Sequence, residues 1–191
     1  MSFKKNNYLI IKNAVPKIIA EYSYHYLLLK REVYKNCNYL QHFGTFEDKM
    51  VPNTYSHYSD ILMETLLLEL LNLMKKKTKL KLIPTYSYCR IYKKGDTLIR
   101  HKDRDSCEIS TTLNLGGNPW PIYLEPSGKI NKKGIKVDLK QGDMLIYKGC
   151  KLEHWREPFD GDTCCQVFLH YNHELNNKFD GRIMIGLPKK T

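Results

Sequence analysis

No apolar stretch in this chain approaches the about 20 residues a bilayer-spanning helix requires. The first residues, Met1-Ser2-Phe3-Lys4-Lys5, lead into asparagine-rich sequence and not into the hydrophobic core of an export signal. The expectation is a protein that stays in the cytoplasm where it is made and has no membrane partner. Cysteine is present at 37, 89, 107, 150, 164 and 165, but no pair has C-x-x-C spacing, and the adjacent Cys164 and Cys165 are poorly placed for a bridge. A zinc ribbon is therefore excluded, and free thiols in a reducing compartment are expected. Internal repeats and low-complexity segments are missing too. Acidic residues are outnumbered, 20 against 31 Lys and Arg, for a formal charge of +11. Such an excess admits a nucleic-acid partner or an acidic protein substrate. Yet Lys75-Lys76-Lys77, Lys132-Lys133 and Lys189-Lys190 are scattered over loops and ends, as in a chain that is simply lysine-rich. The charge alone decides little.

At 191 residues the chain is sized for one domain, 1–191. Residues 8–12 read as a short strand rich in β-formers, closed by a break at Pro16. From Lys17 to Lys35, Ile18, Ile19, Tyr22, Tyr26, Leu29 and Val33 recur at helical spacing and predict an amphipathic helix. Residues 36–57 have no period and read as a long irregular loop. A second helix is expected over 59–76, capped by Ser59 or Asp60 and striped by Leu67, Leu70, Leu71 and Met74. After Pro84 the character changes. Short β-rich segments at 85–92, 97–103, 108–115, 120–124, 135–139, 143–148, 150–155 and 163–172 alternate with Gly-, Pro- and Asp-containing breaks. Helices first and many short strands afterwards predict a mainly β (α+β) fold, a sandwich or jelly roll with N-terminal helices packed on one sheet. The expected division is 1–80 for the supporting strand and helices, 81–175 for the β core and 176–191 for a tail, in which Ile183 to Gly186 has the composition of an edge strand.

Within the β half stands Arg100-His101-Lys102-Asp103. On a strand His101 and Asp103 project from one face and Lys102 from the other. One imidazole and one carboxylate thus converge, and His154 on a later strand supplies a second imidazole. Two His and one carboxylate on one side of an octahedron leave three positions open for further ligands, the arrangement of non-haem iron(II) sites. An isolated H-x-D is common by chance. Here it follows Tyr92-Lys93-Lys94-Gly95, and His154 comes after Gly142-Asp143-Met144-Leu145-Ile146-Tyr147, a turn feeding an apolar strand.

The order Tyr92, Gly95, His101-Lys102-Asp103, then Gly142 to Tyr147, then Glu153-His154-Trp155-Arg156-Glu157-Pro158 resembles the prolyl 4-hydroxylase-like branch of the iron(II)/2-oxoglutarate-dependent oxygenases, in its small bacterial or phage type. The resemblance covers about residues 85–172. It implies a double-stranded β-helix (jelly roll, cupin-like) with Fe(II) held by His101, Asp103 and His154. It implies 2-oxoglutarate as cosubstrate, succinate and carbon dioxide as coproducts, and ascorbate as a candidate reductant. Tyr92 matches the tyrosine that hydrogen-bonds the cosubstrate, although it is also one core candidate among fourteen tyrosines. The family's basic anchor for the distal carboxylate is missing: its positions here are Thr163 and Cys164. Arg156 is the replacement candidate, facing the same way as His154 at about 6.6 Å along a strand; pairing with Glu157 or Asp160 at the surface is the competing reading. Thr163 is a candidate secondary donor to the cosubstrate. Trp155 is expected to face away from the metal, and His170 and His173 to be structural or solvent-facing. Residues 36–57 and 104–107 are candidate lids.

The expected partner is a protein or peptide presenting a prolyl residue. Oxidative demethylation of nucleic acid is an alternative encouraged by the charge, but that branch carries two arginines well after the distal His, where this chain has Arg156 and then nothing until Arg182. A non-enzymatic metal- or ligand-binding jelly-roll module, using zinc for example, is the third reading.

Overall fold

Along the long strands of this chain, alternation separates two chemistries, apolar residues on one face and polar or aromatic ones on the other. The computed structural model describes residues 2–37 and 43–176. A short helix α1 (Phe3–Asn6) precedes β1 (Tyr8–Ile11) and the long helix α2 (Lys17–Asn36). β2 (Tyr55–Tyr58), α3 (Ile61–Glu69) and α4 (Leu71–Thr78) lead into the β half. There follow β3 (Leu82–Lys93), β4 (Leu98–His101), a 3-10 turn (Asp105–Cys107), β5 (Ile109–Gly117) and β6 (Ile122–Leu124). The last four strands are β7 (Ile135–Val137), β8 (Met144–Tyr147), β9 (His154–Arg156) and β10 (Thr163–His173). Six strands form one antiparallel sheet in the order β1-β8-β5-β10-β3-β2, and four form a second, β4-β9-β6-β7. Two such sheets with helices against the larger one make the expected double-stranded β-helix. No helix among the described residues is long and apolar enough to cross a membrane.

The outer face of the large sheet carries the main core. Cys89 and Ile91 of β3, Leu113 and Leu115 of β5, Met144 and Ile146 of β8, and Cys165, Val167 and Leu169 of β10 pack against the helices. Each such buried aliphatic side chain contributes on the order of 1.5–3 kcal/mol. The inner face carries Tyr86, Tyr88, Arg90 and Tyr92, opposed across the β3–β10 pairing by His170, Phe168, Gln166 and Cys164. Adjacent Cys164 and Cys165 fall into different clusters, one on each side of the sheet, and all six cysteines are free.

α2 has the expected range but a different buried face. Ile18, Tyr22 and Leu29 are exposed, whereas Ala20, Ser23 and Leu27 are buried. Small residues let the helix axis approach the sheet, and Tyr24 rests on Gly116, where a Cβ would come 2.8 Å from its ring. The single helix expected over 59–76 is two, α3 and α4, meeting at Leu70. Asp60 caps α3 by accepting from the Leu62 and Met63 amides, and Leu66, Leu67, Leu70 and Met74 from both pieces reach the same core. β2 lies inside the stretch read as a loop. Pro84, read as a break, belongs to β3, beyond the last β2 partner (Tyr58 opposite Tyr88), where β3 is paired only with β10. The tail and the edge strand at 183–186 lie outside the described residues, which end at 176.

Candidate active site

β4 and β9 pair with His101 directly opposite His154 and Leu98 opposite Arg156, with an irregularity between the two pairs. The two imidazoles therefore stand side by side, their ring centroids 4.2 Å apart. β4 ends at His101. Asp103 is two residues beyond it, tied down by its amide, which donates to the Gly149 carbonyl at 2.9 Å. It still reaches the face the spacing predicted. His101 Nδ1 lies 2.7 Å from the Ile99 carbonyl oxygen and His154 Nδ1 3.1 Å from that of Leu152. A carbonyl only accepts, so each Nδ1 carries the proton and each Nε2 presents a lone pair. Both Nε2 atoms face Asp103 Oδ1, at 3.6 and 3.4 Å. Burial alone would raise the Asp103 pKa, but His154 and His101, when a proton on Nε2 makes them cationic, hold the carboxyl well below the usual range.

The donor set fits a divalent transition metal. Ligands about 2.1 Å from a common centre and at right angles are about 3 Å apart, slightly less than the separations here. All three donor atoms lie within 4.8 Å of one another, and among the described residues this is the one cluster of its kind. The cluster opens into a cavity of about 550 Å³, bordered by Tyr86, Tyr88, Arg90, Tyr147, Phe168 and His170 from the large sheet and Leu98 and Ile122 from the small one. Lys102, with Asp48, Lys49 and Met50 from the first candidate lid and Arg104 and Cys107 from the second, completes the border. Asp48 is held there by Arg90, whose Nη2 and Nε lie 2.6 and 3.1 Å from Oδ2, and by the Tyr88 hydroxyl.

Arg156 faces inward with His154, as the alternation predicted, and is only 1% exposed. It makes no surface pair with Glu157 or Asp160. Its Nη1 donates to the Trp120 carbonyl and its Nη2 to Thr112 Oγ1 at 3.4 Å, while the guanidinium lies 4.9 Å from the Trp120 ring centre. No carboxylate pairs with it among the described residues, and its Nε has no acceptor. Tyr92 is fully buried beside it, edge-on to Trp120 at 4.8 Å, and its hydroxyl accepts from Arg90 Nη1 at 3.4 Å. Neither Tyr92 nor Arg156 borders the cavity itself. Thr163 is a correction. Strand alternation sends it to the helix side, where Oγ1 pairs with the Tyr24 hydroxyl at 2.8 Å, so it is no donor to this pocket. The threonine at the guanidinium is Thr112, which in turn donates to Gln166 Oε1 at 3.0 Å. Trp155 faces away as expected, stacked on Tyr123 at 5.5 Å and under Arg100.

Two residues, Ser110 and Gly149, went unnoticed in the sequence, and a third, His170, was misplaced. Ser110 donates to Asp103 Oδ2 at 2.6 Å. His170, expected to be structural or solvent-facing, borders the cavity. Gly149 leaves the space that the Asp103 carboxylate occupies, because a Cβ there would lie 2.6 Å from the Cys107 carbonyl oxygen and closer still to Asp103 Oδ2 and Ser110 Oγ. No local motif marks Ser110 or Gly149; the β5–β8 pairing and the bond from the Asp103 amide to the Gly149 carbonyl bring them to Asp103.

No protein-family model matches the sequence, and no curated protein matches it. Solved structures do share the fold. A prolyl-4-hydroxylase from Pseudomonas putida superposes with a TM-score of 0.68 over 90% of this chain and 95% of its own, at 12% identity. HygX from Streptomyces hygroscopicus, crystallised with nickel and 2-oxoglutarate, gives 0.68 over 91% and 85%, at 14% identity. The viral collagen prolyl hydroxylase of Paramecium bursaria chlorella virus-1, in a 2-oxoglutarate complex, gives 0.61 over 88% and 97%, at 13% identity. The architecture is thus that of the resemblance seen in the sequence.

Proposed function

We propose that this chain is an oxygenase that uses non-haem iron(II) and 2-oxoglutarate to hydroxylate a substrate C–H bond, with succinate and carbon dioxide as coproducts. The observation that carries this reading is the convergence of His101 Nε2 and His154 Nε2 on Asp103 Oδ1 at the wall of an open cavity. These three residues would hold the metal. When bound, iron and cosubstrate supply the activation of dioxygen and the oxidation of the C–H bond. The chain's own contribution is to fix geometry: the Ile99 and Leu152 carbonyls set the tautomer and angle of the two imidazoles. Arg156 would grip the distal carboxylate of 2-oxoglutarate. A buried guanidinium with no carboxylate and an orphaned N–H is costly unless a ligand completes it, and a carboxylate matches its fork. Arg90, the other buried arginine nearby, already has Asp48. The hydroxyl of Tyr92, whose ring packs on Trp120 as the Arg156 guanidinium does, would donate to the cosubstrate. Phe168, Leu98 and Ile122 would shield the reacting centre from water.

A prolyl residue in a protein or peptide is the substrate this reading favours. Support comes from the two prolyl hydroxylases that share the fold, and from a cavity large enough to enclose a small ring. The test is succinate formation dependent on both iron(II) and 2-oxoglutarate, with proline-containing peptides followed by mass spectrometry for one added oxygen. Loss of turnover is expected in Asp103→Ala. Absence of cofactor-dependent succinate refutes the enzyme; oxidation of a methylated oligonucleotide instead of any peptide refutes the prolyl assignment.

A further inference from the structure

A carboxylate offers a metal two oxygens, and only Asp103 Oδ1 faces both imidazoles. Oδ2 is engaged by Ser110 Oγ at 2.6 Å. The same Oγ lies 3.0 Å from His170 Nδ1 and 3.2 Å from the Cys107 carbonyl oxygen. A serine hydroxyl has one proton to give, and the charged carboxylate at the shortest distance is the strongest acceptor. With that proton committed, Oγ accepts from His170, whose Nδ1 then carries hydrogen. The sheet builds this arrangement: Ser110 on β5 is directly opposite His170 on β10, so register alone sets their approach. The His170 ring is steadied on Tyr86, centroid to centroid at 4.6 Å.

We infer that Ser110 and His170 are positioning residues for the metal-binding carboxylate. The chain from His170 Nδ1–H to Ser110 Oγ–H to Asp103 Oδ2 holds Oδ2 back from the metal and leaves Oδ1 as a one-oxygen ligand. A position that a two-oxygen carboxylate would occupy is thereby kept free for the cosubstrate or dioxygen. The inference rests on the metal reading of His101, Asp103 and His154 given above.

Cobalt(II) titration of the full chain tests it, read by dissociation constant and by the visible absorption of the bound ion, with the melting temperature of the metal-free protein alongside. Ser110→Ala and His170→Phe, the latter keeping a ring against Tyr86, are each expected to weaken cobalt binding about 10- to 100-fold and to alter the absorption bands. His170→Asn, which keeps an N–H donor near the position of Nδ1, is expected to restore most of both. Because His170 acts through Ser110, the double variant should bind no more weakly than Ser110→Ala alone. Wild-type affinity and spectrum in Ser110→Ala overturn the inference, as do additive losses in the double variant. If Ser110→Ala does not fold, the contrast between His170→Phe and His170→Asn decides. Should the wild-type chain fail to bind cobalt, or bind it equally well in Asp103→Ala, the metal reading itself has failed, an outcome distinct from the others.

Discussion

Gly149→Ala is the smallest change that should disable the proposed metal centre. A methyl group at this position would lie 2.6 Å from the Cys107 carbonyl oxygen and closer still to Asp103 Oδ2 and Ser110 Oγ, where an unstrained carbon–oxygen contact needs about 3.3 Å. The Asp103 side chain yields most easily, but the Cys107 carbonyl belongs to the backbone, so the chain around Gly149 or Cys107 must shift as well. The Asp103 carboxylate must move by about 1 Å, whereas metal–ligand distances tolerate about 0.2 Å. The backbone of Gly149 is not in the positive-φ region, so alanine brings a steric load without a φ penalty. A loss of about 10- to 100-fold in iron(II) or cobalt(II) affinity is expected, about 1.4–2.7 kcal/mol, together with a lower melting temperature of the metal-free protein from the backbone contact. Equilibrium metal titration, with circular dichroism of the metal-free variant as control, measures it. An unchanged dissociation constant would show that the carboxylate does not bind metal in the position described.

Other expectations follow from the same geometry. Arg156→Met should weaken 2-oxoglutarate binding about 10- to 100-fold, the size of a lost charge-assisted carboxylate contact, while leaving metal affinity alone. Because the guanidinium is buried without a carboxylate, this variant should not lower the melting temperature of the ligand-free protein; a clear drop would mark Arg156 as structural. Burial pushes the Asp60 carboxyl upward, but His57, Lys30 and Tyr26 outweigh it and hold its pKa far below the ordinary value. A depressed folded-state pKa gives stability that is complete above the unfolded value of about 3.9 and lost as pH falls toward the folded one. Urea midpoints should therefore decline below about pH 4, less steeply in Asp60→Asn; identical pH profiles would contradict the role of this cluster. Leu67→Ala, in the core between α3 and the sheet, should cost about 2–5 kcal/mol in urea unfolding without altering metal affinity in the folded fraction.

What the sequence disclosed is what local rules govern. Alternation fixed the common facing of His154 with Arg156 and anticipated that of His101 with Asp103 although Asp103 lies past the end of β4, and turn residues marked most of the strands. What it hid depends on partners far away in the chain. The face of α2 was misjudged because Ile18, Tyr22 and Leu29 are more hydrophobic than Ala20 and Ser23, yet only small residues allow the helix close to the sheet. β2 escaped notice because four residues, Tyr55–Tyr58, are too few to display a period, and β3 supplies their pairing. Thr163 was offered as a secondary donor to the cosubstrate; its strand phase sends it to Tyr24 instead. Ser110 and Gly149 carry no motif, and His170 was read as structural or solvent-facing, since their place near Asp103 is created by register between β5, β8 and β10.

The division of the large sheet into an aliphatic side and a polar, aromatic side has a consequence for how such a protein changes over time. Replacing Tyr86, Tyr88 or Phe168 reshapes the cavity proposed to receive substrate, while the layer of Ile91, Val167 and Leu169 beneath the helices is untouched. Under the proposed function, selectivity and durability are thus written on alternate letters of the same strands, and a lineage could trade one substrate for another by drifting at every second residue.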